Sequence, residues 1–326
     1  MPQPTGILAA RHAAEWFGLR FAIGLSARLP RRVLGSMAKL CGAFVYRCDR
    51  AGRAVSLENI RCALPDLAPG ERARVARESY QNLARTFFDL FWARNLNLEN
   101  CAEHVSMRED EEGLLKNYGG TGSIWVTPHY GNFEWAAVTM GLWGAKHSII
   151  AQEFRNPRLT PLFRGLREVS GHRIIPQERS MVRLFKELKR GGSVAFLTDL
   201  NAPLAQNPSI IDCFGLKTCV TSLHGVLAKR CDVPVLPALC TPVGERGDDR
   251  YEMRFFSPLI IDAKAQVWKM AQSCWDVFEP IIEKNPGQWI WMYKHWRYRP
   301  DGADPDAYPR YANPKRKFDR LLSEQS

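Results

Sequence analysis

The chain has no apolar run approaching the roughly 20 residues needed to cross a bilayer as a helix. Its first apolar region, Ile7 to Leu29, is broken by Arg11, His12, Glu15, Arg20 and Arg28 and lacks the small-residue cleavage site of a secretory signal. The nine cysteines form no C-x-x-C pair, which excludes a zinc ribbon and points to reduced thiols in a cytosol-facing protein. No G-x-S-x-G is present, so a serine acyl-enzyme has no support, and no H-E-x-x-H is present, so no metal site is expected. Gly119-Gly120-Thr121-Gly122-Ser123 precedes a strand and is not followed by Gly-Lys-Ser/Thr. It is therefore a turn, not a phosphate loop. Internal repeats and low-complexity segments are absent as well.

Acidic residues are also in deficit. Against 34 Asp and Glu stand 45 Lys and Arg, a formal charge of +11, which favours acidic partners: nucleic acid, an anionic bilayer, phosphorylated substrates or an acidic carrier protein. With 326 residues and 45% hydrophobic content, the chain is long and apolar enough for a large core. Near the N-terminus Trp16, Phe17, Leu19, Phe21, Ile23 and Leu25 alternate with Arg11, Arg20, Arg28, Arg31, Arg32 and Lys39. That is the make-up of a helix lying in the headgroup layer, or of an amphipathic helix packed on the protein's own core.

Apolar residues recur at helical spacing from Val33 to Tyr46 and from Val75 to Trp92, separated by a turn at Pro65 to Gly70, so Thr5 to Leu98 is expected to be helical. From Ser123 the pattern alternates. Strands are expected at Ser123–Thr127, Ser148–Gln152, Arg173–Ile175, Val194–Thr198, Val233–Leu239 and Tyr251–Phe256. Helices are expected at Asn132–Trp143, Leu159–Val169, Ser180–Lys189, Thr221–Arg230 and Ala263–Lys284. The fold class is therefore α/β: a mixed sheet with flanking helices, preceded by an N-terminal helical membrane-associating segment. We divide it into residues 1–100 (helical, membrane-associating), 101–300 (α/β core) and 301–326, a loosely attached tail rich in Pro, Asp, Lys and Arg. Functional residues should gather at the carboxyl ends of the strands.

One pair of residues stands at such an end. His129 and Glu134 follow the apolar strand Ile124-Trp125-Val126, with Gly131 and Asn132 between them. Five positions apart on a regular helix, two side chains diverge by roughly 140°. The pair therefore works only across a strand-to-helix turn, where Gly131 gives a permissive backbone and Asn132 caps the helix. Glu134, in the first helical turn, is then expected to reach back to the imidazole. A carboxylate on one ring nitrogen fixes the tautomer while the other nitrogen accepts a proton from a hydroxyl, a general-base dyad needing no covalent intermediate. The plain alternative is a strand-end histidine and a favourable first-turn acid.

Several ordered blocks surround this pair. Pro128-His129-Tyr130-Gly131-Asn132-Phe133-Glu134 resembles the H-[FY]-G-N-[WF]-E core of the bacterial lipid A biosynthesis (late, secondary) acyltransferase family, which is related to the phosphatidylinositol mannoside acyltransferases. Ser56-Leu57-Glu58-Asn59-Ile60 with Ala63-Leu64-Pro65, Arg155-Asn156-Pro157 with Arg164 and Arg167, Gly192 to Asp199, Phe214-Gly215 with Thr221 and Gly225, and Gln288 to Trp296 are similar to further blocks of that family, in order, over most of the chain. The chain departs from the family at Leu200-Asn201 after Asp199 and at Lys294-His295-Trp296-Arg297.

The resemblance implies a glycerolipid-acyltransferase-like fold and an O-acyltransferase on the cytoplasmic face of a bacterial inner membrane. Such an enzyme moves an acyl chain from acyl carrier protein or acyl-CoA to a hydroxyl of a glycolipid such as a lipid A precursor, with His129 and Glu134 catalytic and no resident cofactor or metal. Asn132, Arg155, Arg167 and Asp199 are candidate supporting residues. The two arginines would bind a phosphate of the glycolipid or the pantetheine arm, or would be surface charge. Asp199 would orient His129 or Arg155, or serve as a turn residue. Trp289, Trp291, Tyr293 and Trp296 would be core or a headgroup-level belt. The acceptor could instead be a lysophospholipid, a mannosylated lipid or an aminolipid served by acyl-CoA. A basic, non-catalytic membrane-surface protein is the alternative from another class, and no nucleic acid is expected.

Overall fold

The computed structural model describes residues 6–178, 180–244, 249–262 and 264–325. Four helices come first: α1 (Gly6–Ser26), α2 (Arg31–Cys48), α3 (Arg50–Ala63) and α4 (Pro69–Trp92). Helix α4 opens at Pro69, whose missing N–H costs nothing at a first turn, and Glu71 accepts from the Ala68 N–H at 3.2 Å. Its partner is α2, which buries Leu34, Ala38 and Gly42 along one stripe at four-residue spacing. A Cβ at Gly42 would overlap the α4 backbone at Tyr80 and Gln81, so this glycine sets how closely the two helices cross.

The central sheet is built from β1 (Val105–Met107), β2 (Ile124–Thr127), β3 (His147–Ala151), β4 (Arg173–Pro176), β5 (Ser193–Leu197), β8 (Val235–Pro242) and β9 (Tyr251–Phe255), in the order β1-β9-β8-β2-β5-β3-β4. Strands β6 (Ser209–Cys213) and β7 (Leu216–Val220) form a separate antiparallel hairpin. All pairings in the central sheet are parallel except β8 with β9. Helices α5 (Cys101–His104), α6 (Glu112–Tyr118), α7 (Phe133–Leu142), α8 (Leu159–Arg167), α9 (Ser180–Lys189), α10 (Leu223–Cys231) and α11 (Val267–Lys284) follow along the chain. The central strands are apolar on both faces, as sheets covered by helices on both sides must be: Ile124, Val126, Val194, Phe196, Val235 and Leu239 belong to one core layer, and Trp125, Leu236, Ala238 and Cys240 to another.

The alternating elements lie within a few residues of their expected places, and Ala263, where the last long helix was to begin, lies outside the described residues. Strand β1 and the β6–β7 hairpin were not anticipated. Val105–Met107 has three residues and carries no periodicity to read, and its strand character comes from parallel pairing with β9. The tail is a correction. Residues 301–325 do not hang loosely: helix α12 (Arg316–Gln325) buries Phe318 and Leu321 against Leu204, Ile210 and Cys219, and Tyr311 donates to Asn59 Oδ1 at 2.5 Å. The charges of α12 flank a narrow apolar stripe of Phe318 and Leu321, which the segment's overall composition conceals.

No described helix is long and apolar enough to cross a membrane. Helix α1 buries Ile23 and packs Leu19 against Leu90, Phe91 and Phe163, yet leaves Phe17 65% and Phe21 71% exposed, and α2 leaves Leu40 73% and Phe44 68% exposed.

Candidate active site

Strands β2 and β5 are parallel neighbours in register, with Thr127 opposite Leu197. Two residues beyond each of these ends stand His129 and Asp199, which the sheet therefore places side by side. His129 Nδ1 lies 2.7 Å from Asp199 Oδ1, and the His129 backbone N–H donates to Asp199 Oδ2 at 3.0 Å. The second oxygen also accepts from the Trp289 indole N–H at 2.8 Å. Asp199 is 4% exposed, so its charge depends on these three donors. Burial alone would raise its carboxyl. The charge and hydrogen bond of His129 outweigh that, with smaller contributions from His295 and the Trp289 N–H, and hold it at about 2. Being ionised, the carboxylate fixes His129 with its proton on Nδ1. Among the described residues, Nε2 has no hydrogen-bond partner.

The turn carrying His129 is over-determined. Gly131 has φ +59°, and a Cβ there would overlap the Cys240 carbonyl oxygen, so only glycine fits on two counts. Its N–H donates to Gln288 O at 3.1 Å, and its carbonyl accepts from Asn82 Nδ2 at 3.0 Å and Thr86 Oγ1 at 3.1 Å, both on α4. Asn132 caps α7 by accepting from the Trp135 N–H at 3.0 Å and gives its amide to Asp89 Oδ2 at 2.9 Å. Asp89 is itself buried and also accepts from Tyr251 OH at 2.7 Å and Arg31 at 3.0 Å. Three neighbouring side chains on the N-terminal helix α4, Asn82, Thr86 and Asp89, thus brace the turn after β2.

Glu134 does not reach back to His129. The helix that Asn132 caps begins at Phe133, and its first turn directs Glu134 inward toward α8, where Arg167 takes both carboxylate oxygens: Nε to Oε2 at 2.9 Å and Nη2 to Oε1 at 2.5 Å. Glu134 is 5% exposed, and a carboxylate so buried is tolerated when a guanidinium fork satisfies it. Burial pulls the Arg167 guanidinium down, but Glu134 more than compensates and raises it above its usual range. The imidazole instead touches the first residue of that helix, with the His129 and Phe133 ring centroids 4.9 Å apart.

The other expected residues divide. Asn132, Arg167 and Asp199 join His129 and Glu134 around one turn. Arg155 is exposed on the loop after β3 and joins none of them; the buried residue there is Asn156, which holds His12 O at 2.9 Å and Glu15 at 3.0 Å and so ties α1 to that loop. Leu200-Asn201 is built into the site's wall: Asn201 Nδ2 donates to His295 O at 2.9 Å. Trp289, Trp291 and Trp296 are all core, and Trp289 has the further task of holding Asp199. Sequence reasoning weighed Trp289 as core or as part of a headgroup-level belt, not as a donor to Asp199. The bridge between Tyr130 and Trp289, which brings it to the turn, spans some 160 residues and leaves no local sign.

Among the described residues no group of three His, Cys, Asp or Glu side chains is arranged to hold a metal ion. The family model for bacterial lipid A biosynthesis acyltransferases matches residues 3–298, which includes every residue of this site. No curated protein matches the chain.

Proposed function

Since the chain belongs to the bacterial lipid A biosynthesis acyltransferase family, and that family indicates an acyltransferase acting on lipid, we propose that His129 is the general base of an O-acyl transfer from a thioester to a glycolipid hydroxyl such as that of a lipid A precursor. The observation that carries this reading is the 2.7 Å contact of Nδ1 with the ionised, buried Asp199, with Nε2 left for a substrate. In this reading Nε2 takes the acceptor's proton as its oxygen attacks the thioester carbonyl. Asp199 stabilises the imidazolium that forms, and the thiol leaves with the proton. Glu134 acts through Arg167. The carboxylate holds a cation beside the turn, where its potential favours the oxyanion of the tetrahedral intermediate. Acyl-ACP or acyl-CoA serves as donor, and no resident cofactor is required.

The exposed Phe17 and Phe21 of α1, with Leu40 and Phe44 of α2 and the cations Arg20, Arg28, Arg32 and Lys39 among them, support seating on an anionic bilayer at the cytoplasmic face of the inner membrane. A lipid hydroxyl and a soluble donor would then meet at His129.

The test is acyl transfer by purified protein on anionic vesicles. His129→Ala should abolish transfer while leaving vesicle binding and the thermal transition intact. A variant that still acylates its acceptor at near the wild-type rate would sink the general-base reading. Loss of one acyl chain from lipid A in a deletion strain would separate the lipid A acceptor from a phospholipid, mannosylated lipid or aminolipid.

A further inference from the structure

Strand β4 is the last in the sheet, and its free edge forms the floor of a groove of about 470 Å³ between α8 and α9. Five cationic side chains line it: Arg164 from α8, Arg173 from β4, and Arg183, Lys186 and Arg190 from α9 and its end. None of the five forms an ion pair with another described residue, and the Nε of Arg164 is buried without a hydrogen-bond partner. Against these five cations the groove holds two acids, Glu187 and Glu168, the latter also accepting from the Ile174 N–H at 2.9 Å, so positive charge stays in excess. A sheet edge can be guarded by one or two lysines. A concave site of ligand size, lined by four guanidiniums and an ammonium that find no ion-pair partner among the described residues, is more than a guard.

We propose that this groove binds phosphate groups of a substrate. Guanidinium forks match phosphate oxygens in pairs, and a concave groove of this size suits a small phosphate-bearing molecule better than a carboxylate-bearing protein helix. Its position fits. Arg164 stands one turn before Arg167, the partner of Glu134, and β4 is three strands from β2, about 14 Å at ordinary strand spacing. On the same helix, Phe163 joins Ile23 of α1 in one buried cluster, which ties α8 to the N-terminal helix proposed to lie on lipid. Both substrates carry such phosphates: the acceptor on its sugar headgroup, the donor on its pantetheine arm. That the ligand is a substrate rests on the acyl-transfer reading; the affinity for phosphate does not.

Direct binding to the full-length protein tests this with two pairs of probes: glucosamine 1-phosphate against glucosamine, and coenzyme A against pantetheine. The wild type should bind the phosphorylated member of at least one pair about tenfold more tightly. The double substitution Arg183→Gln with Arg190→Gln, both at exposed positions, should erase that preference without weakening the phosphate-free probe. The pair that responds names the source. The proposal is overturned if neither pair shows a phosphate preference, if the double variant keeps it, or if only an acidic carrier protein loses affinity. A His129→Ala protein should keep the phosphate preference. If groove binding fails while His129→Ala still kills transfer, the groove falls and the acyl-transfer reading stands.

Discussion

Asp199→Asn preserves volume and changes only hydrogen-bonding chemistry, and the geometry says which way the amide must turn. Oδ2 receives two donors, the His129 backbone N–H at 3.0 Å and the Trp289 indole at 2.8 Å, whereas Oδ1 receives one, the imidazole at 2.7 Å. Asparagine has a single acceptor oxygen. Placing it at the two-donor position leaves the NH₂ facing Nδ1, which must then accept, so the imidazole proton moves to Nε2 and the base is lost. The opposite rotamer satisfies His129 but sets an NH₂ against two buried N–H groups, at a cost of about 1–3 kcal/mol for each donor left unmet. The first rotamer should therefore prevail. Wrong tautomer and lost counter-charge together should slow the chemical step by about 10³–10⁴-fold, equivalent to about 4–5.5 kcal/mol of barrier. Single-turnover thiol release at saturating donor measures that step, and the thermal transition reports the fold. Turnover within threefold of wild type, from a protein with an unchanged transition, would refute the claim that Asp199 sets the histidine's tautomer.

Three further outcomes follow from the same contacts. Gly131→Ala must accept φ +59° and move the Cys240 carbonyl, so it should lower stability by about 2 kcal/mol or more and reduce activity with it, read from denaturant midpoints. Glu134→Gln removes the charge that holds Arg167 and should cost up to about 3 kcal/mol. A second substitution, Arg167→Gln, should then recover part of that loss, because the penalty comes chiefly from the stranded cation; a strictly additive double-mutant cycle would contradict this. Burial lowers His147 to about 3, with His172 adding to it, and lowers His224 and His295 to about 4. These histidines stay neutral in the fold but protonate when unfolded below about pH 6.5, so the unfolded state binds more protons and stability must fall as the pH drops from about 6.5 toward 4. The slope should approach roughly 4 kcal/mol per pH unit at its steepest. Replacing His224, whose two ring nitrogens are both buried and unpartnered, by Leu should flatten that slope by about a third, measured as denaturant midpoints at pH 7 and pH 5.

What could be read from the sequence was what is local. The strand before His129, the turn at Gly131 and the cap at Asn132 lie within nine residues, and each leaves a mark in residue type, so the turn's geometry could be argued before any coordinates. Partner choice was not legible in that way. The proximity of Glu134 in sequence suggested that it served the imidazole, yet a first-turn carboxylate points along its helix's inner face, and the nearest charge there is Arg167 on α8, 33 residues on.

The carboxylate that does serve His129 is 70 residues distant; the sequence offered Asp199 for His129 or for Arg155, and one signal could have decided between them. If two strands are parallel neighbours in register, residues at equal distances past their ends are adjacent. His129 is two past Thr127, and Asp199 is two past Leu197. An apolar strand ending in a polar residue was visible at both places; the pairing of β2 with β5, across the intervening β3 and β4, was not. Strand order is a tertiary fact, because burying both faces of a parallel sheet makes its strands alike in composition and leaves nothing in any one strand to name its neighbour. The same reasoning accounts for the tail. Phe318 and Leu321 are three apart in a segment otherwise dense in charge, a stripe too narrow to register in composition but enough to bury Phe318 completely against the β6–β7 hairpin. Where a site is closed by such distant stripes and strand ends, the chemistry of each residue can be foreseen while its partner stays one of several. Asp199 could be named from its strand end as a residue to orient His129 or Arg155 or to make a turn, and the pairing of β2 with β5 is what sets it on His129.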